Sequence, residues 1–221
     1  AAEVDDVAAG ARRPRADGPS PRPEHIAHYR ALYAIVTAWA EENLHQPWNP
    51  EPLAYLRQHR QVGGYGLEID TANIVKCIQA GVNVIHADLE AGLEDFGDSS
   101  FDYVIMTQTL QAVKHTEALL DEMLRVGRQG IVTFPNFGFW RCRVQIALQG
   151  FMPVVKTLPY QWYDTPNVHL FTIRDFEELC HRKHIDILQR MVLDHAHRPR
   201  LGPRLWPNLL GEIALYRLGR A

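Results

Sequence analysis

Tyr65-Gly66-Leu67-Glu68-Ile69-Asp70 is a short apolar run that closes on two carboxylates, and its reading decides the fold. In an open α/β sheet, ligands lie beyond the carboxyl ends of the strands. An acidic residue there can accept hydrogen bonds from the ribose hydroxyls of a nucleoside-bearing cofactor. A second buried run, Phe101-Asp-Tyr-Val-Ile-Met-Thr107, follows downstream of Asp88 and closes on Thr107-Gln108-Thr109. The glycine-rich loop that ordinarily precedes the first of these strands has no counterpart in the residues before Tyr65.

Outward from this stretch, short apolar runs at residues 64–70, 82–87, 101–107 and 130–134 alternate with amphipathic segments of helical length. That alternation is the signature of βαβ units and a mostly parallel sheet. Helices are predicted over 71–80, closed by Gly81, and over 115–126, closed by Gly127, each glycine standing where a left-handed C-cap is wanted. Thr172-Ile-Arg-Asp175 is a capping-box start for a helix running to His184. Residues 185–193 and 212–218 then read as two strands, antiparallel to each other at one edge. Upstream, Ile26, Tyr29, Tyr33, Val36 and Leu44 recur at helical spacing, which predicts a helix over 25–44. Pro47, Pro50 and Pro52 break the chain before a short helix near Leu53, Tyr55 and Leu56. Residues 1–24, with Pro14, Pro19, Pro21 and Pro23 and almost nothing large to bury, read as a disordered tail preceding one domain over 25–221.

The composition fits that picture. At 221 residues, 46% apolar and 22% charged, the chain has the make-up of one globular domain. A formal charge of −3 gives no global attraction to nucleic acid or to an anionic membrane. The most apolar stretch, residues 31–40, is about ten residues long and falls well short of the roughly 20 that span a bilayer. No apolar signal core is seen near the acidic start at Glu3, Asp5 and Asp6. Cys77, Cys142 and Cys180 are odd in number and widely spaced, as expected of reduced thiols in a cytoplasmic protein.

Several residues carry candidate chemistry. Glu68, Asp88 and Thr107 fall at predicted strand ends, where Glu68 can accept from ribose hydroxyls and Asp88 from an adenine amine; each carboxylate can equally cap the next helix. Residues 160–169 gather Tyr160, Trp162, Tyr163, Asp164, Asn167 and His169. They read either as a pocket lid or partner contact, or as a loop pinned around Pro166 with its aromatics on the core. His169 with Asp164 as orienter has no accompanying nucleophile, so no catalytic constellation is assigned. Trp140 and Arg141 offer a contact for an acidic partner patch, or a solvated helix face with Trp140 turned inward. Cys180, His184, His195 and His197 lack the spacing of a zinc site, and no metal is expected.

The order Gly66-Leu67-Glu68-Ile69-Asp70, Val84-Ile-His-Ala-Asp88 and Ser100-Phe-Asp-Tyr-Val-Ile105 resembles the later motifs of class I methyltransferases. Ser100-Phe-Asp-Tyr-Val-Ile-Met-Thr-Gln-Thr-Leu-Gln-Ala-Val113, Glu122-Met-Leu-Arg-Val-Gly127, Phe134-Pro-Asn-Phe-Gly138 and Leu158-Pro-Tyr-Gln-Trp-Tyr-Asp-Thr-Pro-Asn-Val-His169 resemble, more specifically, the MetW family of methionine-biosynthesis proteins, over residues 53–218. The resemblance implies a seven-stranded class I methyltransferase-like, Rossmann-like sheet and a cytoplasmic partner or regulatory subunit of the homoserine O-acyltransferase MetX. It makes S-adenosylmethionine the candidate cofactor, with Glu68, Asp88 and Thr107 as candidate contacts, and weak binding is expected because the glycine-rich loop is absent. In that family the first strand ends in a glycine-rich loop whose amides approach the cofactor closely. Residues 39–52 contain no glycine and three prolines, so the first strand and its loop are read as missing, in a divergent or frame-altered region. A chain so changed is expected not to be independently catalytic. The alternatives are an S-adenosylmethionine-dependent small-molecule methyltransferase and a relic that keeps only the fold.

Overall fold

The computed structural model describes residues 63–193 and 205–220, together with the backbone of 31–34. Seven strands form one sheet: β1 (Ala31–Ala34), β2 (Gly64–Glu68), β3 (Val84–His86), β4 (Phe101–Thr107), β5 (Gly127–Pro135), β6 (Ile185–Leu193) and β7 (Ile213–Arg220). Their order is β3-β2-β1-β4-β5-β7-β6. Strands β1 to β5 run parallel to one another, whereas β7 runs antiparallel to both β5 and β6. The expected α/β class and the antiparallel carboxyl-terminal pair are therefore observed. Helices α1 (Thr71–Gln79), α2 (Thr116–Val126), α3 (Trp140–Gln149), α4 (Ile173–Arg182) and the single turn α5 (Pro207–Leu210) connect the strands.

Two expectations are corrected. Residues 31–34, read within a helix, are strand β1, which pairs Ala34 with Leu67 on one side and with Met106 on the other. The first strand position, read as vacant, is therefore occupied. Ala-Leu-Tyr-Ala has no strand pattern of its own, and pairing along both edges overrides its helical periodicity. The expected tail at 1–24, the rest of the 25–44 helix and the helix near Leu53 lie outside the described residues.

The second correction concerns Gly127, which opens β5 in an extended conformation (φ −99°) rather than capping α2 in the left-handed region. Its need for glycine is one of space: a Cβ there would lie 2.7 Å from Val104 Cγ2 and 3.1 Å from the Met123 carbonyl oxygen. Gly81 does take the left-handed value expected after α1, φ +69°. The Thr172 capping box is present in full: the Asp175 amide donates to Thr172 Oγ1, and Asp175 Oδ2 accepts from the Thr172 amide.

The core lies between the sheet and helices α2 and α4. Val104, Met106, Val132, Leu120, Met123 and Leu218 are buried in it. Phe134 forms its aromatic centre, with ring centroids 4.7 Å from Phe171, 4.8 Å from Phe176 and 5.9 Å from Tyr216. All three cysteines are free and buried. No helix among the described residues is long and apolar enough to cross a membrane.

Candidate functional site

Strand order reverses between β1 and β4, and it is beside such a switch point, at the carboxyl ends of β2, β3 and β4, that open α/β sheets place their ligand crevice. Glu68 is the last residue of β2 and is 1% exposed. The amides of Ile69 and Asp70 both donate to its Oε1 at 2.9 Å, so this oxygen holds its own turn. Asp70 caps α1, accepting from the Ala72 amide at 2.6 Å. Asp88 follows β3 and caps a short 3-10 turn, accepting from Glu90 at 2.9 Å. The Ala87 amide donates to the Glu68 carbonyl at 3.1 Å. Adjacent strand ends thus bring Glu68 and Asp88 together, each with a carboxylate oxygen engaged locally.

Thr107 ends β4 opposite Thr133. Gln108 then takes φ +50°, a left-handed conformation that costs a non-glycine residue about 1–3 kcal/mol and clusters at functional sites. It is held there by its amide donating to the Thr133 carbonyl at 2.8 Å, and by Gln111 Nε2 donating to the Gln108 carbonyl at 2.7 Å. Gln111 is buried, and its Oε1 has no hydrogen-bond partner among the described residues. The Thr-Gln-Thr-Leu-Gln run shows the polar residues, but nothing local signals the reversed φ.

The 160–169 segment is tied to this loop. The His169 amide donates to the Gln111 carbonyl at 3.0 Å, and His169 Nε2 lies 3.2 Å from the Lys114 carbonyl, as a donor. The nitrogen is thereby occupied on Lys114, and no His169–Asp164 bond is formed in the structure. Asn167 donates its amide to Thr165 Oγ1 at 3.1 Å, which pins the turn around Pro166. Tyr160 is half-buried, and burial followed by the nearby Asp164 charge pushes its hydroxyl up to about 12. Trp162 and Tyr163 are each 71% exposed and meet edge to face at 5.7 Å. Their exposure rules out the reading in which all three aromatics pack on the core. Trp140 is also exposed, and Phe139 and Cys142 fill the small core expected to receive it.

Two clefts adjoin these elements. One of about 660 Å³ lies between the start of α2 and α4, lined by Lys114, His115, His169, Phe171, Phe176 and Arg182. Another of about 460 Å³ lies between α3 and Trp162. A thiol nucleophile is absent from both. Burial pushes Cys77 and Cys142 up to about 11 and Cys180 to about 12, so none is a thiolate at neutral pH.

Residues 48–218 match the model of a family described as methionine biosynthesis protein MetW. The chain belongs to the MetW family. A relative from Rhodopirellula baltica, named bifunctional methionine biosynthesis protein MetXA/MetW, is 34% identical over 181 residues, covering 78% of this chain and 29% of the relative. The chain thus spans less than a third of that longer protein's length. Among solved structures, a methyltransferase from Mesorhizobium loti described as S-adenosylmethionine-dependent aligns with a TM-score of 0.55 and 14% identity, covering 100% of this chain and 98% of that one. A second, from Thermotoga maritima and described as a possible histamine N-methyltransferase, aligns at 0.55 and 15%, covering 87% and 82%. These likenesses establish the class I methyltransferase-like fold of this MetW-family chain. The family match begins after β1, so the first strand is built from sequence outside it.

Proposed function

We propose that this chain acts as a partner or regulatory subunit of the homoserine O-acyltransferase MetX, within the methionine biosynthesis its family serves. The observation that carries this reading is the relative whose name joins MetXA and MetW in a single polypeptide. Covalent fusion raises the effective concentration of one part for the other, which is useful where the two work in contact. The exposed Trp162 and Tyr163 support it, because Trp and Tyr are favoured at interface hot spots.

The cofactor side of the crevice supports a binding rather than a methyl-transferring role. Glu68 is buried, with one oxygen committed to two amides. The sequence from 35 to 62, which follows β1, contains no glycine and carries Pro47, Pro50 and Pro52. Residues with side chains and imides without N–H do not supply a close-approaching amide cradle. The residues present therefore fit S-adenosylmethionine poorly, and no reaction step is drawn through it. The methyltransferase alternative keeps one observation in its favour, the neighbouring placement of Glu68 and Asp88 at the strand ends.

The test is co-purification of the full chain with the homoserine O-acyltransferase of the same genome, followed by acyl-transfer assays with and without the chain. Trp162→Ala or Tyr163→Ala is expected to weaken association about thirtyfold, given a hot-spot loss of about 2 kcal/mol. Both side chains are mostly exposed, so thermal stability is expected to stay at the parent value. Absence of any association by the parent chain overturns the proposal.

A further inference from the structure

Helix α3 is ten residues long, and Cys142 is its one buried residue. Residues recur every 3.6 positions around a helix, so Trp140, Val144 and Leu148 form one stripe, with Val144 about 200° around from Cys142. The stripe points away from the protein: Trp140 and Val144 are each 41% exposed and Leu148 is 80% exposed. An isolated helix shorter than about 12–15 residues is marginal in water. An apolar stripe on so short and so lightly anchored a helix is what an interface leaves uncovered in the separate subunit.

The surface continues beyond the helix. Gln145 clamps the following segment back on α3, its Oε1 accepting from the Val154 amide at 2.9 Å and its Nε2 donating to the Val154 carbonyl at 3.3 Å. That clamp places Phe151, Met152 and Trp162 around the 460 Å³ cleft beside Gln145 and Gln149. Its charge is predominantly positive. Residues 129–163 contain Arg141, Arg143 and Lys156 and no aspartate or glutamate, and the exposed Asp164 at the end of the segment is the one carboxylate in the turn that carries Trp162. Arg143 is turned inward to the Gly138 carbonyl at 2.6 Å, while the Arg141 guanidinium lies 5.4 Å from the Trp140 ring.

We infer that the α3 stripe and its adjoining aromatic cleft are the face on which the homoserine O-acyltransferase docks, through a partner patch with an apolar centre and an acidic rim. This inference rests on the partner reading above. Interfaces of this kind place aromatic and Arg anchors at a desolvated centre, and a predominantly basic rim steers a partner of opposite sign.

The experiment is calorimetric titration of the full chain with the acyltransferase at two salt concentrations. Val144→Glu and Leu148→Glu are each expected to weaken binding tenfold or more without lowering the melting temperature, since both side chains face solvent. Arg141→Glu is expected to weaken binding and to flatten its salt dependence. Ile78→Glu, at an exposed position on α1, is the control and is expected to bind like the parent. If the parent binds and the Val144 and Leu148 variants bind equally well, the face is wrong and the partner reading stands. If the parent does not bind, both fail. If the parent self-associates and Leu148→Glu abolishes that while leaving acyltransferase binding intact, a second copy covers the stripe and the inference is overturned.

Discussion

Arg125 joins helix α2 to the loop before β4 with one guanidinium. Its Nε and Nη2 donate to the two oxygens of Glu122 at 2.7 Å each, while Nη1 reaches Asp98 at 2.7 Å and the Phe96 carbonyl at 2.9 Å. Nη2 also donates to the Leu93 carbonyl at 3.0 Å. The bond from Arg125 is the main cause holding the Glu122 carboxyl below its ordinary value, against the opposing effect of burial. A carboxyl whose folded pKa is depressed contributes stability in full above its unfolded pKa of about 4.3, and loses it as pH falls through the lower folded value. Arg125→Met is therefore expected to lower unfolding free energy at pH 7 by about 2–4 kcal/mol, given the worth of charged hydrogen bonds and the Phe96 carbonyl left without its donor, the Leu93 carbonyl keeping the Phe96 amide. Urea unfolding at pH 7 and pH 3 checks this: the parent should lose more stability on acidification than the variant, and equal losses would remove Glu122 as the titrating group. The i,i+3 spacing of Glu122 and Arg125 can be read from sequence. The reach to Leu93 and Phe96 cannot, because it exists only once the intervening strand is in the sheet. Glu68 is a similar case. Its place at a strand end was legible, but the turn of its carboxylate onto the Ile69 and Asp70 amides depends on backbone geometry that residue identity does not specify.

Among the elements, α4 starts where its sequence says, because every partner in a capping box lies within four residues. Thr172→Ala removes the acceptor for the Asp175 amide and is expected to cost about 0.5–2 kcal/mol. A domain of this size should then melt roughly 2–4 °C lower per kcal/mol lost, a shift that Thr172→Ser should largely restore. An unchanged melting temperature in Thr172→Ala would mean that the helix is held by Ile173 and Phe176 in the core rather than by its cap. Strand β1 is the opposite case. Its four residues have no local strand signal, and their conformation comes from ladders to β2 and β4 that are distant in sequence. Gly127 was legible as a stop for α2, yet its physical reason is the approach of Val104 from the neighbouring strand. For α3 the helix itself was legible, but not its orientation. The small core of Phe139, Cys142 and Leu158 anchors only its first turn, leaving Trp140 outside.

At the scale of the whole molecule, the sheet has the order of a class I methyltransferase-like fold, while residues 35–62, which follow β1, contain no glycine. A cradle amide contributes a net hydrogen bond of about 0.5–1.5 kcal/mol, so losing two weakens affinity by roughly tenfold or more. Glu68 is poorly placed to compensate, since it is buried and one oxygen is already shared by two amides. Calorimetric titration with S-adenosylmethionine is therefore expected to give an affinity at least tenfold weaker than that of an intact class I methyltransferase measured alongside. Glu68→Gln is the informative variant, because the amide oxygen can still accept from Ile69 and Asp70 while the charge that favours ribose hydroxyls is removed. It is expected to change the affinity by less than about twofold, the small effect of a carboxylate whose role is to hold its own turn. Tight binding that Glu68→Gln abolishes would mean that the crevice is a working cofactor site and that the methyltransferase alternative describes the chain better. Weak binding, indifferent to that variant, leaves a fold whose ligand crevice has lapsed while its outer face, around α3 and Trp162, keeps the large apolar side chains a protein partner would cover.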